Sequence, residues 1–349
     1  MKRTLIFIGC TMMAALTCLF VLVLVAGMPN DRKNGFDRQW VKVNVRQQLS
    51  YKLPLTGERL FGWGDSIYLS APSHRQIYSL DNSLHIKDTV ELTVNKQLRP
   101  PVNFFADATH IYAHEYNSGK LFFKELHAAQ FDSARLSAGP FVKSLQLSDS
   151  LVVIRGFVPG SFQPVFMRIN ILNGEQRKSN LLSEKADAGF STDGILCSNT
   201  QKDRLFYIPY FENGIYCMDN ELNLRYKQHT IDTVFHNDIR VAGRGDGEMQ
   251  KLYASAPRVK VNKRAFANDR LLFIESDLQA DNEQRDAFSK YPVLDTYYVE
   301  NGSYAGSFYL PVDKKKVLSY YVNAEKLYVL LKDEITLYTI TLPSSSFHR

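Results

Sequence analysis

From Leu5 to Met28 the chain runs 24 residues without a charge. At ~1.5 Å rise per residue such a run makes a helix of ~36 Å, enough to cross a ~30 Å hydrocarbon core with some tilt. Lys2 and Arg3 precede the run, and Pro29, Asn30, Asp31, Arg32 and Lys33 end it. The pattern predicts one transmembrane helix. A cleaved signal peptide competes with it, with Val25-Ala26-Gly27 as the cleavage site, but signal cores usually span only ~7–15 apolar residues. Cys10 and Cys18 fall inside the run and neither fits a lipidation site. Basic residues on both flanks nearly balance, and the very short N-terminal tail favours an N-inside helix with the body translocated.

Residues 29–47 are polar and read as a juxtamembrane linker. Beyond them the pattern changes period. An apolar pair, a short polar turn holding an acid, and a strand rich in aromatic and β-branched residues recur together. The unit appears as LFGWGDSIYLS around Asp65, FFADATHIYA around Asp107 and LQLSDSLVVI around Asp149. It returns around Asp203, Asp269 and Glu325, the acids being spaced 42, 42, 54, 66 and 56 residues apart. A second hairpin follows each unit, as in QIYSLDNSL and GIYCMDNELN, with Asn, Asp and Gly in the turns. Four strands every ~42 residues is the repeat of a β-propeller blade. One blade cannot bury both of its faces, whereas blades packed around an axis can.

Six such units predict a six-bladed, all-β propeller over residues 48–349, after an anchor at 1–28 and the linker at 29–47. YKLPL (51–55) is placed to supply the outer strand of the last blade and close the ring. A seventh, degenerate blade has room between 233 and 262, although an irregular loop suits that stretch better because it shows little strand alternation. A pair of β-sandwiches leaves the regular spacing unexplained.

The repeat resembles the six-bladed propellers of the TolB-like and NHL-like kind, and is similar to membrane-anchored exported propellers of Bacteroidota. The resemblance covers residues ~50–342 and rests on blade spacing. It implies a binding or assembly surface, in some relatives for sugars or peptides. The Trp-Asp dipeptide and the regular Gly-Gly pair of other propeller classes are missing here.

Composition adds little beyond this. Phe and Tyr number 22 and 19, which suits half-buried strands. A net charge of +6, scattered along the chain, gives no basis for nucleic-acid binding. Cys197 and Cys217 are the two cysteines of the body. They are expected on non-adjacent strands, ~9–10 Å apart and beyond disulfide reach.

Chemical motifs are sparse. His110 and His114 lie on an expected strand, where i and i+4 stand ~13 Å apart and cannot share an ion. The turn acids are read as residues that bond their own turn backbone. Asp246 and Glu248 in GRGDGEMQ fall short of a calcium loop. There is no G-x-S-x-G elbow, dinucleotide fingerprint or phosphate loop. No metal or other cofactor is called for.

The long polar segments 233–262 and 276–292 carry the sharper hypothesis, since connections beyond ~12–15 residues in a compact fold are often functional. His236, Arg240, Arg244, Asp246 and Arg285 are the candidate ligand contacts there. The sequence thus points to a single-pass inner-membrane protein, anchored by residues 5–28, whose periplasmic propeller binds a protein, small molecule or saccharide. The alternatives are a hydrolase or lyase with its site at the central channel and, more weakly, an accessory subunit of a periplasmic redox system.

Overall fold

The computed structural model describes residues 2–27, 33–92, 98–126, 128, 130–158, 163–182, 189–236, 241–244, 251–254 and 259–341. The chain divides into two compact units, Met1–Asn34 and Gly35–Arg349. The first holds helix α1 (Lys2–Gly27), where the apolar run predicts it. The apolar side chains described there, between Ile6 and Leu22, are all exposed. Among the described residues no helix is long and apolar enough to cross a membrane.

The second unit opens with a segment that leads into strand β1 (Asn44–Lys52). Six four-stranded antiparallel sheets follow among the described residues. Blade one holds β2 (Arg59–Trp63), β3 (Ser66–Ser70), β4 (Gln76–Leu80) and β5 (Ile86–Glu91). Blade two holds β6 (Val102–Ala106), β7 (His110–Glu115), β8 (Lys120–Glu125) and β9 (Asp132–Arg135). Blade three holds β10 (Phe141–Gln146), β11 (Leu151–Phe157), β12 (Pro164–Asn170) and β13 (Gln176–Ser179). Blade four holds β14 (Gly194–Ser198), β15 (Leu205–Pro209), β16 (Gly214–Met218) and β17 (Leu224–His229). A ribbon of β18 (Val241–Arg244) and β19 (Lys251–Ala254) comes next, outside the blades. Blade five holds β20 (Asn262–Ala267), β21 (Leu271–Ser276), β22 (Val293–Tyr298) and β23 (Tyr304–Tyr309), with a short helix α2 (Arg285–Lys290) between β21 and β22. Blade six is made of β24 (Val317–Asn323), β25 (Lys326–Leu331), β26 (Glu334–Thr341) and, as its outer strand, β1.

The ring is therefore closed by the start of the propeller unit pairing with its end. Tyr51 faces Ile335 and Lys52 faces Glu334 in the β1–β26 ladder, so only the first two residues of the expected closing segment lie in the strand, most of which, from Asn44, precedes it. The compact unit begins at Gly35, ahead of the boundary at 47 drawn from polarity alone. The ribbon β18–β19 occupies part of the stretch expected to be an irregular loop. A two-strand ladder needs only paired backbones, so it leaves little side-chain alternation to detect.

Each of six apolar clusters sits between two neighbouring blades. Leu60, Ile67 and Leu69 of blade one pack with Tyr328, Leu330 and Ile335 of blade six. Phe61 and Ile77 pack with Phe104 and Ile111 of blade two, and the pattern repeats around the ring to Phe273 and Leu294 against Leu327 and Val329. Both faces of every blade are buried in this way, which is where the hydrophobic stabilisation of the fold resides.

All six turn acids stand in the hairpin between the first and second strands of a blade, as expected, but their bonding differs from the expectation. Only Asp107 is found capping its own turn, accepting from the amides of Thr109 at 2.8 Å and His110 at 2.7 Å. Asp65 instead reaches Lys326 Nζ at 2.9 Å in blade six. Asp269 accepts from the Gln201 amide of blade four at 3.0 Å. In the Asp269 turn the preceding residue already serves the backbone: Asn268 Oδ1 accepts from the amides of Arg270 and Leu271. The acid is then free to join neighbouring blades.

Candidate functional site

The six innermost strands β2, β6, β10, β14, β20 and β24 start at one end of the molecule's axis and surround a central channel. A cavity of about 390 Å³ opens where they begin. Connections from the outer strand of one blade to the inner strand of the next lie on this face. So do connections between second and third strands, which places the segment after β21 on the side of the mouth.

Three inner strands are bulged at the mouth. The ladders shift between Phe141 and Lys143, between Asn262 and Arg264, and between Val317 and Ser319. A bulge adds one unpaired residue and re-aims its neighbours. Here it sets Lys143, Lys263 and Arg264 on the cavity lining, alongside Arg59 of blade one. Glu58 is the one acid of that lining. It turns towards His74, whose Nδ1 is 3.1 Å from its carboxylate.

Behind the lining, Glu275 is fully buried opposite Arg264 on β21. Its carboxylate lies 2.8 Å from Arg264 Nη1 and 3.2 Å from Lys263 Nζ, and accepts a hydrogen bond from the Tyr320 hydroxyl at 3.1 Å. In blade three Lys143 faces Arg155 across the ladder, a like-charge pair that Asp193 bridges at 3.2 and 3.6 Å. Tyr210, also in the lining, holds two ammonium groups near its ring: Lys143 at 5.1 Å and Lys260 at 4.7 Å from the centroid. Burial, with Arg264 and Lys263 close by, keeps Lys260 below its ordinary pKa against the pull of Asp277. Among the described residues Arg59 bonds only a neutral partner, the side-chain oxygen of Asn103.

The far end of the channel is smaller, a cavity of about 180 Å³ that includes Trp63, Gln146 and Lys202. Lys202 Nζ stands 4.9 Å over the Trp63 ring, and burial lowers its pKa to about 8. Near this end His114 is completely buried, with Nε2 2.8 Å from Gln146 Oε1. His110 bonds Thr109 instead, so the two histidines of HIYAH have separate partners along one strand, as the strand reading requires. Cys197 and Cys217 lie on β14 and β16 with Phe206 of β15 between them, and both are free thiols. Burial pushes Cys197 up to about 12 and Cys217 up to about 11.

Of the residues singled out in the sequence as ligand contacts, two have described side chains, and both lie on exposed connections. His236 is exposed beyond β17, and Arg285 is exposed at the start of α2. Arg244 pairs through its backbone with Lys251 in the β18–β19 ribbon. Arg240 and Asp246 lie outside the described residues. Neither His236 nor Arg285 lines either channel cavity. The segment 276–292 mainly receives the start of the propeller unit: its Glu283, with Asp295 of β22, holds Arg38, and Asn282 bonds the Arg38 backbone at 3.0 and 2.8 Å.

The mouth cations did leave a signal in the sequence. Arg59, Lys143 and Lys263 each stand six residues ahead of the turn acid of their unit, in units one, three and five. Inspecting each unit for acids alone passes over this register.

No protein-family model matches the sequence, and no curated protein matches it. The structure is similar to that of a member of the duf4221 family from Bacteroides vulgatus, with a TM-score of 0.57 at 14% identity, covering 87% of this chain and 99% of that one. Virginiamycin B lyase from Staphylococcus aureus follows with a TM-score of 0.48 at 9% identity over 86% and 100% of the two chains. BamB from Moraxella catarrhalis gives 0.41 at 11% identity over 84% and 97%. Identities this low speak to fold alone, and only the first likeness is close enough to carry that. Together with the six closed sheets, it makes the body of this chain a six-bladed β-propeller.

Proposed function

We propose that the chain is a membrane-anchored, extracytoplasmic binding module that presents the mouth of its propeller to a ligand or partner. The observation that carries this reading is the cavity at the start of the six inner strands, lined by four cations. The apolar run 5–28 supports the anchor, and the N-inside reading sets the propeller on the periplasmic side of the inner membrane. A hydrolase or lyase at the channel finds less support. The described lining offers one carboxylate, Glu58, where a paired-carboxylate mechanism needs two.

The test is capture from membranes with the full chain, compared with an Ile195→Trp variant that plugs the mouth. Partners or ligands recovered by the native chain and lost from the plugged one are the expected result. Identical recovery from both refutes a binding role for the mouth. Fractionation with protease treatment of spheroplasts tests the location: the propeller sediments with membranes and is digested from outside. A protected propeller places it in the cytoplasm and overturns that part.

A further inference from the structure

The mouth is over-supplied with positive charge in a regular way. Cations come from blades one, three and five: Arg59, Lys143, and the neighbours Lys263 and Arg264. Blades two, four and six place Asn103, Ile195 and Ser319 at comparable positions. If the cations served only to balance neighbouring acids, each acid would need one partner. Glu275 instead has Lys263 and Arg264, and Asp193 has Lys143 and Arg155. Arg59 has no carboxylate partner among the described residues, while the one lining acid, Glu58, is engaged by His74.

Keeping like charges opposed across a ladder, as Lys143 and Arg155 are, destabilises a sheet. Asp193 supplies one carboxylate to the pair, at 3.2 and 3.6 Å, which leaves one of its two positive charges unbalanced. The bulges at Lys143 and Lys263 add a second, independent sign, because bulges are enriched where a side chain must be re-aimed beside a site.

We propose that the mouth binds a small polyanion, a hexose-sized molecule bearing two or more phosphate or carboxylate groups, clamped between the cations of blades one, three and five. This rests on the mouth being the binding place, as argued above. A cavity of about 390 Å³ accommodates a molecule of that size and falls in the usual ~300–1,000 Å³ range of small-molecule sites. Tyr210 supplies a ring face against which a sugar or an apolar edge packs, and Arg59 supplies the planar donor that suits an oxyanion.

The experiment is calorimetric titration of the full chain in neutral detergent with three probes: inorganic pyrophosphate, digalacturonate and methyl glucoside. Binding of either anion, without binding of the neutral glucoside, is expected. The arm that responds separates a phosphoryl ligand from a carboxylated saccharide. Arg59→Gln and Lys143→Gln should each weaken the anion roughly tenfold. Lys178→Gln, on the exposed outer strand β13, should leave it unchanged. Affinity of the native chain should also fall as salt rises, a readout that needs no variant to fold. Glucoside binding that Tyr210→Ala abolishes, with both anions silent, overturns the polyanion and leaves the binding module standing. Anion binding that ignores salt and both substitutions overturns the clamp. Silence from all three probes overturns the polyanion as well, while the capture experiment decides the module separately.

Discussion

Arg38 has its guanidinium buried, 2.6 Å from Glu283 and 2.9 Å from Asp295, in a segment that polarity marks as linker. Its partners lie 245 and 257 residues away in the chain, so no local pattern announces them. Removing one member of such a cluster strands the other charges. Arg38→Ala should lower unfolding free energy by ~3–5 kcal/mol in urea titrations. His114 gives a prediction in pH. Burial depresses it from 6.5 to about 3 in the folded chain. Between those values the unfolded chain binds a proton that the folded chain refuses. Stability therefore falls as pH is lowered from about 6.5, by up to ~1.4 kcal/mol per unit. His114→Gln should flatten the denaturation midpoint between pH 6.5 and 4.5, above the range where carboxylates such as Asp107 begin to protonate. A native-like slope in the variant would assign the effect elsewhere.

At the scale of elements, the first hairpin of every blade is legible from its acid-bearing turn, and the end of the closing strand from an apolar segment left over ahead of unit one. The strap before β1 is not. Residues 39–41 run along the edge of β23, with Trp40 bridging to Ser307 and stacked on Tyr309 at 4.8 Å. This contact depends on Gly306, at φ +130°, where an added Cβ would come within 2.3 Å of Val41. Gly306→Ala should cost ~1–3 kcal/mol from backbone strain, with the clash added. Val41→Ala in the same chain should recover only the clash. Thermal midpoints of the single and double variants separate the two terms.

For the whole molecule, stability depends on closure. With β1 deleted, β26 presents an open edge and Leu337 and Ile340 lose cover from one side. Deletion of residues 35–52 should convert a single cooperative transition into a broad one, with self-association visible by size-exclusion chromatography. A monomeric, cooperative product would show that the other five blades suffice.

What the sequence determined by itself is the content of each blade: alternation, turn residues and repeat length are local, and backbone geometry reads them directly. The apolar leader belongs to the same class, since a helix length follows from a count. The order in which long-range partners meet was decided by the tertiary structure. Arg38 finds Glu283, turn acids reach across to neighbouring blades, and cations from alternate units converge on one axis only once the ring closes. Periodicity specifies which face of a strand is buried, but convergence at the channel depends on bulges and on the rotation from blade to blade. Neither leaves a mark in the hydrophobic pattern.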